Sequence, residues 1–133
     1  MIISRTPLRI SLGGGGTDFK EFYCGEFGVV TSLAIDKYIY ITINKRFDRS
    51  IRICYSRLEI TDDVNKIKHN LVREALKLAN VREGIEITSV ADIPSRGTGL
   101  GSSSAFTVGL LNALYAYKGK RVPAQRLAEE ACR

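Results

Sequence analysis

Several residue types that mark particular classes of protein are scarce or absent in this chain of 133 residues. It contains no tryptophan, one histidine, one methionine and three prolines. The three cysteines, Cys24, Cys54 and Cys132, are odd in number and widely spaced, with no CxxC pair and no Cys/His cluster. The sequence therefore predicts neither a disulfide framework nor a zinc site.

Long apolar runs are also missing. No stretch approaches the roughly 18 uninterrupted apolar residues that a membrane span needs. Near the N-terminus, Arg5, Pro7 and Arg9 interrupt the chain before an apolar run could form the core of a signal sequence. We therefore expect a cytoplasmic protein that makes no contact with a membrane.

The charge of the chain is unbalanced. It carries 20 Lys and Arg against 14 Asp and Glu, which gives a formal net charge of +6. Such a charge suits a nucleotide, a phosphosugar or a nucleic acid, although an ordinary mixed-charge surface is the simpler explanation of the charge alone. Aromatic residues interleaved with Arg and Lys, which are typical of RNA-binding surfaces, are missing. We therefore expect no nucleic acid partner.

Hydrophobic periodicity predicts intermixed strands and helices. The alternation of Leu8, Ile10 and Leu12 indicates a half-buried strand. Because strand and helix patterns do not alternate strictly, we expect an α+β fold in one domain of residues 1–133. The other predicted strands span 29–35, 38–44, 51–55, 58–60 and 85–88, and the predicted helices span 64–78, 105–117 and the residues from Pro123 onward.

Two of these helices carry more specific expectations. The helix over 64–78 should be capped by Thr61, Asp62 or Asp63, with His69 on its solvent side. The last helix reaches Arg133 without a glycine cap, and its apolar residues Leu127, Ala128 and Ala131 need a partner. We therefore expect a further domain to follow, and we expect that chains lacking it could associate through this face.

The strongest local signal is a glycine- and serine-rich segment, Pro94–Ala105, between a predicted strand and a buried helix. Glycines allow close approach of the backbone to a ligand, and a helix start offers free N–H groups to phosphate. The segment is not a Walker A loop, because no lysine follows its last glycine, and Ser102 replaces the third glycine of GxGxxG. A tight turn with serine caps is the structural alternative.

A second glycine run, Gly13–Gly16, is followed by Thr17 and Asp18. A flexible turn into a short helix over 18–23, capped by Thr17 or Asp18, would explain it without a ligand. Arg9, a few residues earlier on the polar side of the strand, favours a binding site. An aspartate can accept hydrogen bonds from sugar hydroxyls, and an arginine can stabilise phosphoryl charge.

Together, Thr6–Phe19 and Gly99–Ala105 resemble motifs one and two of the GHMP kinases, a family that includes galactokinase and the homoserine, mevalonate and phosphomevalonate kinases. The first motif is most similar to the sugar-kinase branch that contains D-glycero-D-manno-heptose 7-phosphate kinase. The resemblance implies the N-terminal part of an α+β two-domain kinase, similar to the second domain of ribosomal protein S5. It also implies transfer of phosphate from ATP, with Mg²⁺, to a sugar or sugar phosphate at the anomeric hydroxyl.

The resemblance also implies residue roles. Ser103 would help to hold Mg²⁺, and Arg9 would lie near the transferred phosphoryl group. Galactokinases carry Glu and His at the positions of Gly15 and Gly16, which argues against galactose as the substrate. Residues expected at the ATP phosphates are Gly97, Thr98, Gly99, Leu100, Gly101, Ser102, Ser103 and Ser104, and those expected at the sugar are Gly15, Gly16, Thr17 and Asp18.

The general base of the family has no counterpart in this sequence, and we expect it beyond Arg133. The 133 residues alone should therefore be catalytically inactive. Two alternatives to a kinase remain open at this point. The first is a nucleotide- or phosphosugar-binding module without catalysis, and the second, less favoured, is an RNA-binding domain similar to S5.

Overall fold

The computed structural model describes residues 1–94 and 98–132. Strands and helices are intermixed along the chain, so the predicted α+β class is confirmed. The strands are β1 (Ile2–Gly13), β2 (Thr31–Lys45), β3 (Ile51–Cys54), β4 (Leu58–Thr61) and β5 (Ile85–Ala91); the helices are α1 (Lys20–Tyr23), α2 (Asn70–Leu78), α3 (Ser102–Tyr117) and α4 (Ala124–Ala131), with 3-10 turns at Gly15–Asp18 and Val64–Lys66.

The strands form one mixed sheet in the order β1-β2-β5-β3-β4. β1 pairs with β2, β2 with β5, and β3 with β4, all antiparallel, whereas β3 and β5 run parallel. The parallel pair requires a crossover, and α2 lies in the segment between β4 and β5. α3 packs against β1 and β2 and is flanked by α2 and α4.

The hydrophobic core lies between this sheet and the helices. Branched residues dominate its strand side, as expected for side chains that pack on a pleated surface. The helix side is supplied mainly by leucines of α2 and α3, and Leu127 of α4 closes it. The fully buried large side chains are Leu8, Ile41, Ile43, Ile51, Ile53, Ile67, Leu76, Ile85, Ile87, Leu110, Leu111 and Leu114.

Two predicted strands, over 29–35 and 38–44, are one continuous strand in the structure, β2. The predicted join at Asp36 and Lys37 is absorbed as an irregularity in the pairing with β1. Pro7 lies opposite Tyr38 and Arg9 lies opposite Ala34, so β2 has extra residues at this point. Asp36 and Lys37 therefore lie in a β-bulge of a continuous strand, and not in a turn that reverses the chain.

The helix predicted over 64–78 is wrong in its first half. Val64–Lys66 forms a 3-10 turn capped by Asp63, whose Oδ1 accepts the Asn65 amide at 2.9 Å. Ile67 then has extended backbone, which places its side chain in the core, and α2 begins only at Asn70. Core burial of one isoleucine thus interrupts a helical pattern that its sequence spacing favours.

Burial of two predicted apolar faces differs from the expectation. Among the apolar residues of β1 only Leu8 is buried, while Ile10 and Leu12 are 41% and 63% exposed. In α4, Leu127 is buried by the rest of this chain and Ala128 is exposed. Leu127 of α4 is therefore already covered within this chain, and the end of β1 is left more exposed than its alternation suggests.

α3 approaches β1 closely at Gly109, which is buried in the helix interior. A Cβ atom placed on Gly109 would lie 2.5 Å from Thr6 Oγ1 and 3.5 Å from Ser4 Oγ. The distance to Thr6 Oγ1 is shorter than van der Waals contact, whereas the distance to Ser4 Oγ is an ordinary contact. The absence of a side chain at this position therefore sets the distance between the helix and the strand.

Gly109→Ala should lower the free energy of unfolding by about 1–3 kcal/mol because the methyl group overpacks the contact with Thr6. In an unconstrained helix the same change stabilises by about 1 kcal/mol, so the sign is diagnostic. Urea denaturation measures it, and the control is the same substitution in a Thr6→Ala background, where the effect should shrink. Stabilisation by Gly109→Ala alone would contradict the packing argument.

Candidate functional site

The glycine loop before α3 has a backbone that only glycine adopts readily. Gly99 and Gly101 have φ angles of +64° and +70°. Gly101 is the N-cap of α3, and the Ala105 amide donates the first intrahelical bond to its carbonyl at 3.0 Å. The amides of Ser102, Ser103 and Ser104 precede that bond and so have no partner within the helix. They form an anion-binding helix start.

The three serines differ in exposure. Ser103 and Ser104 are exposed and Ser102 is partly buried. Ser102 and Ser103 both line a pocket beside the helix start. The backbone carbonyl of Ser103, and not its hydroxyl, accepts a hydrogen bond from Thr107 Oγ1 at 2.9 Å. The structure thus leaves serine hydroxyls at the helix start accessible to a ligand. Gly97, predicted as part of this loop, lies outside the described residues.

Arg9 joins the two predicted motifs. Its backbone amide donates to the Leu100 carbonyl at 3.1 Å, so the glycine loop is tied to β1. Its side chain lies over Gly101, where an added Cβ would be 3.2 Å from Arg9 Cγ and Nε. A guanidinium therefore lies beside the free amides of the helix start. This arrangement concentrates positive charge at one point, as an anionic ligand requires.

The first glycine loop is held by Thr17. The Thr17 hydroxyl lies 2.7 Å from the Gly14 carbonyl, 3.1 Å from the Val29 carbonyl and 3.0 Å from the Val29 amide, from which it accepts. Gly14 has φ +85°, and a Cβ there would collide with the Val29 carbonyl. Gly28 is equally restricted, since a Cβ would lie 2.5 Å from the Thr17 carbonyl. The loop is therefore closely packed against residues 28–30.

The predicted capping role of Thr17 or Asp18 is wrong. The N-cap of α1 is Phe19, an apolar residue whose side chain cannot cap, and Thr17 braces the loop instead. Asp18 ends the 3-10 turn and is exposed, as are Gly15 and Gly16. Its carboxylate is thus available to a ligand.

A pocket of about 360 Å³ adjoins the start of α3. Its walls include Tyr55 and His69 together with Phe106 and Ile93, and it reaches Ser102 and Ser103. Its size falls in the range of small-molecule sites, and its mixture of rings and hydroxyls is typical of them. Sequence reasoning missed this pocket, because its walls come from five separate parts of the chain.

His69 does not face solvent as predicted. It is partly buried and is the N-cap of α2, with Nδ1 accepting the Val72 amide at 3.4 Å. Its ring stacks on Phe106 (centroids 5.2 Å apart, planes at 29°) and meets Tyr55 edge-on at 4.7 Å. The histidine thus links α2 to α3. Only its position just before a helix could have suggested this role from sequence.

The carboxylate of Glu59 anchors this cluster. It accepts the Tyr55 hydroxyl and the Lys68 amide, each at 2.7 Å. Burial raises the pKa of Glu59, but these hydrogen bonds outweigh it and hold the pKa below its usual range. The bond to Glu59 raises the pKa of Tyr55. Burial lowers the pKa of His69 and outweighs the opposing charge of Glu59.

Three further features of the described residues bear on what else the chain could bind. Within residues 1–94 and 98–132, no group of three or more His, Cys, Asp or Glu side chains could hold a metal ion by itself. A polar cleft of about 470 Å³ lies between the Val64–Lys66 turn and the end of α2, but neither glycine loop lines it. In the same part of the chain, no helix is long and apolar enough to cross a membrane.

Residues 65–133 match the family profile described as the GHMP kinases N terminal domain. The chain belongs to the GHMP kinase family. The matched region contains the loop before α3 and the whole helix, while the first glycine loop precedes it. The family resemblance read from the two motifs is therefore confirmed, and the second motif lies within the match.

Known proteins of this family share the fold. A D-glycero-alpha-D-manno-heptose 7-phosphate kinase of Campylobacter jejuni is 31% identical over 84% of this chain and 36% of its own length. A solved D-glycero-D-manno-heptose 1-phosphate kinase from Bacteriodes thetaiotaomicron superposes with a TM-score of 0.81 at 24% identity, over 98% of this chain and 47% of that one. Lactococcus lactis galactokinase complexed with galactose gives a TM-score of 0.74 at 24% identity, over 97% and 36%. The chain thus spans less than half the length of these GHMP kinases.

Thr17→Val should lower the free energy of unfolding by about 1 kcal/mol, since Val29 loses the partner of its amide at a partly solvated site. Urea denaturation measures the loss, and hydrogen exchange should show faster opening of the Val29 amide. Thr17→Ser, which keeps the hydroxyl, is the matched control. Equal stability of the valine and serine variants would mean that the hydroxyl does not brace the loop.

Proposed function

We propose that this chain is the ATP-binding N-terminal domain, residues 1–133, of a cytoplasmic, ATP- and Mg²⁺-dependent kinase that phosphorylates a sugar or sugar phosphate. The observation that carries the proposal is the contact of Arg9 with Leu100 and Gly101. It brings a guanidinium carried by β1 to the helix start that follows the second glycine loop. The same strand then continues directly into the first glycine loop.

The phosphates of ATP would lie at the start of α3. Free amides of the first turn, two glycines with positive φ and the Arg9 guanidinium all offer positive charge or donors there. Ser103, exposed at this point, would contribute a hydroxyl to Mg²⁺, with phosphate oxygens supplying the remaining charge. When bound, the ion would neutralise charge on the transferred group. Thr98, Leu100, Ser102 and Ser104 complete the loop.

The nucleotide base would occupy the pocket lined by Tyr55, His69 and Phe106. This pocket shares Ser102 and Ser103 with the phosphate site, so a ligand held by the helix start can reach it. Aromatic rings offer a base a stacking surface that water cannot replace. The proposal thus places the two ends of one nucleotide in adjoining sites.

The sugar would lie toward the first glycine loop. Arg9 and Gly13 are four positions apart on β1, about 13 Å, a distance that a sugar phosphate between the two loops could span. Asp18 would accept sugar hydroxyls, with Gly15, Gly16 and Thr17 shaping the loop around it. The heptose phosphate kinases among the relatives favour a substrate like heptose 7-phosphate, phosphorylated at the anomeric hydroxyl.

The experiment that tests this function has two arms. Titration calorimetry on residues 1–133 should detect saturable, Mg²⁺-dependent ATP binding. In the full-length protein, a coupled ADP-release assay with heptose 7-phosphate and a panel of sugars should show turnover. Binding without turnover by the full-length protein would favour a non-catalytic nucleotide- or phosphosugar-binding module, and absence of binding would refute both.

Ser103→Ala should weaken Mg²⁺-ATP binding roughly tenfold or more, through loss of a charge-assisted contact of about 1.5–3 kcal/mol. The fold should be unaffected because Ser103 is exposed. Calorimetry measures the affinity, with Ser32→Ala, an exposed serine on β2, as the control. Equal affinities for wild type and Ser103→Ala would remove this residue from the metal site.

Asp18→Ala in the full-length protein should raise the KM for the sugar and leave the KM for ATP nearly unchanged. The reason is that Asp18 belongs to the first glycine loop, where we propose the sugar, and not to the loop before α3, where we propose the phosphates. Steady-state kinetics with each substrate varied in turn measures both constants, and Asp36→Ala, an exposed acid on β2, is the control. A lower melting temperature with both constants unchanged would indicate a purely structural role.

A further inference from the structure

The ring of His69 is fixed on three sides. Nδ1 accepts the Val72 amide at the start of α2, and the ring stacks on Phe106 and meets Tyr55 edge-on. Because Nδ1 accepts, the neutral ring carries its proton on Nε2. This is the sole histidine of the chain. The GHMP kinase motifs give it no role.

Phe106 lies between this ring and the start of α3, because it stacks on His69 and lines the same pocket as Ser102 and Ser103. It lies four residues after Ser102 and three after Ser103, so it is their neighbour on the same side of α3. A shift of the helix turn that carries Phe106 would therefore also shift the serines and free amides at the helix start. On the opposite wall, Tyr55 is fixed through Glu59, which also accepts the amide of Lys68, the residue before His69.

We propose that His69 is a positioning residue for the nucleotide: its neutral ring fixes Tyr55 and Phe106 beside Ser102 and Ser103, and protonation of the ring weakens nucleotide binding. The inference rests on the function proposed above, because it requires that the pocket takes the nucleotide base. His69 itself acts through the two rings and the helix start.

Protonation would remove the contact that orients the ring. A protonated Nδ1 donates and can no longer accept the Val72 amide. It would also place a positive charge at the N-terminus of α2, where the helix dipole is unfavourable to cations. The groups around the ring are the Glu59 carboxylate of β4, Tyr55 and Arg57 in the turn after β3, the uncharged Phe106 and serines of α3, and Lys68 and Arg73 on its own segment.

The sign of the pH dependence follows from burial. Glu59 favours the protonated ring, but burial outweighs it and lowers the pKa of His69 below its ordinary value of 6.5. The folded protein therefore keeps a neutral ring at neutral pH. Below pH 6.5 the unfolded chain takes up the proton more readily than the folded one. Stability is therefore lost as the pH falls through the folded pKa.

The test measures Mg²⁺-ATP affinity by calorimetry between pH 8 and pH 5.5 in wild type and in His69→Asn. Asparagine is a good N-cap without a titrating ring, so any pH dependence left in the variant belongs to the nucleotide. We expect wild-type affinity to fall more than that of His69→Asn towards pH 5.5, because only the wild type carries a ring that takes up a proton. At pH 8 the variant should already bind more weakly, because the ring is missing.

Two measurements do not depend on the folding of His69→Asn. The His69 ring signals and the Val72 amide should titrate together in NMR spectra of the wild type, with unambiguous assignment of the sole imidazole. Phe106→Leu, which keeps the histidine but removes the stacked ring, should reduce the pH dependence of nucleotide affinity while the Val72 amide still titrates. A Val72 amide that does not respond to the ring would overturn the inference.

The outcomes separate the two proposals. If the wild type binds no Mg²⁺-ATP at pH 8, the proposed function fails, and the inference fails with it. If it binds with the same pH profile as His69→Asn, only the inference fails. Tighter wild-type binding at low pH would mean that the imidazolium attracts phosphate directly, and that too would overturn a positioning role. A melting temperature that falls with pH while the affinity stays level would reduce His69 to a structural cap.

Discussion

Close contact between α3 and β1 is the constraint on which the rest of this structure depends. It is made possible at two glycines of the same segment, Gly101 and Gly109, which face Arg9 and Thr6 of the strand. At Gly109 the contact fixes the distance of the helix from the sheet. At Gly101 it places a guanidinium against the helix start. A single packing relation therefore sets both the core and the candidate phosphate site.

The sequence predicted those parts of the site that are encoded locally. The glycine loop, the serines at the helix start and the long helix behind them form one continuous segment, and its residues alone indicate an anion-binding turn. Arg9 could be assigned to the same site only through the family resemblance. No local pattern shows that residues so far apart in the chain meet, and the hydrogen bond from Arg9 to Leu100 supplies that information.

Tertiary packing determines where α2 begins and which residues of β1 are covered, and local sequence patterns do not. The pattern over 64–78 has helical spacing, yet burial of Ile67 interrupts it and moves the start of α2 to Asn70. That shift makes His69 a cap and turns its ring toward Phe106. The pocket beside α3 therefore exists because a helix begins later than its periodicity suggests. Ile10 and Leu12 could not be placed either, since strand alternation gives a face but not what covers it.

The pairing of Arg9 with Leu100 also has a consequence for how the chain folds. These residues are about ninety positions apart in sequence, and contacts of such long range form slowly because a large loop must close first. The β3–β4 hairpin and the isolated helices can form earlier from local contacts. The anion-binding site would then be completed only when β1 docks onto the segment before α3. A ligand held there would bind the folded chain alone, and its concentration would shift the folding equilibrium by mass action.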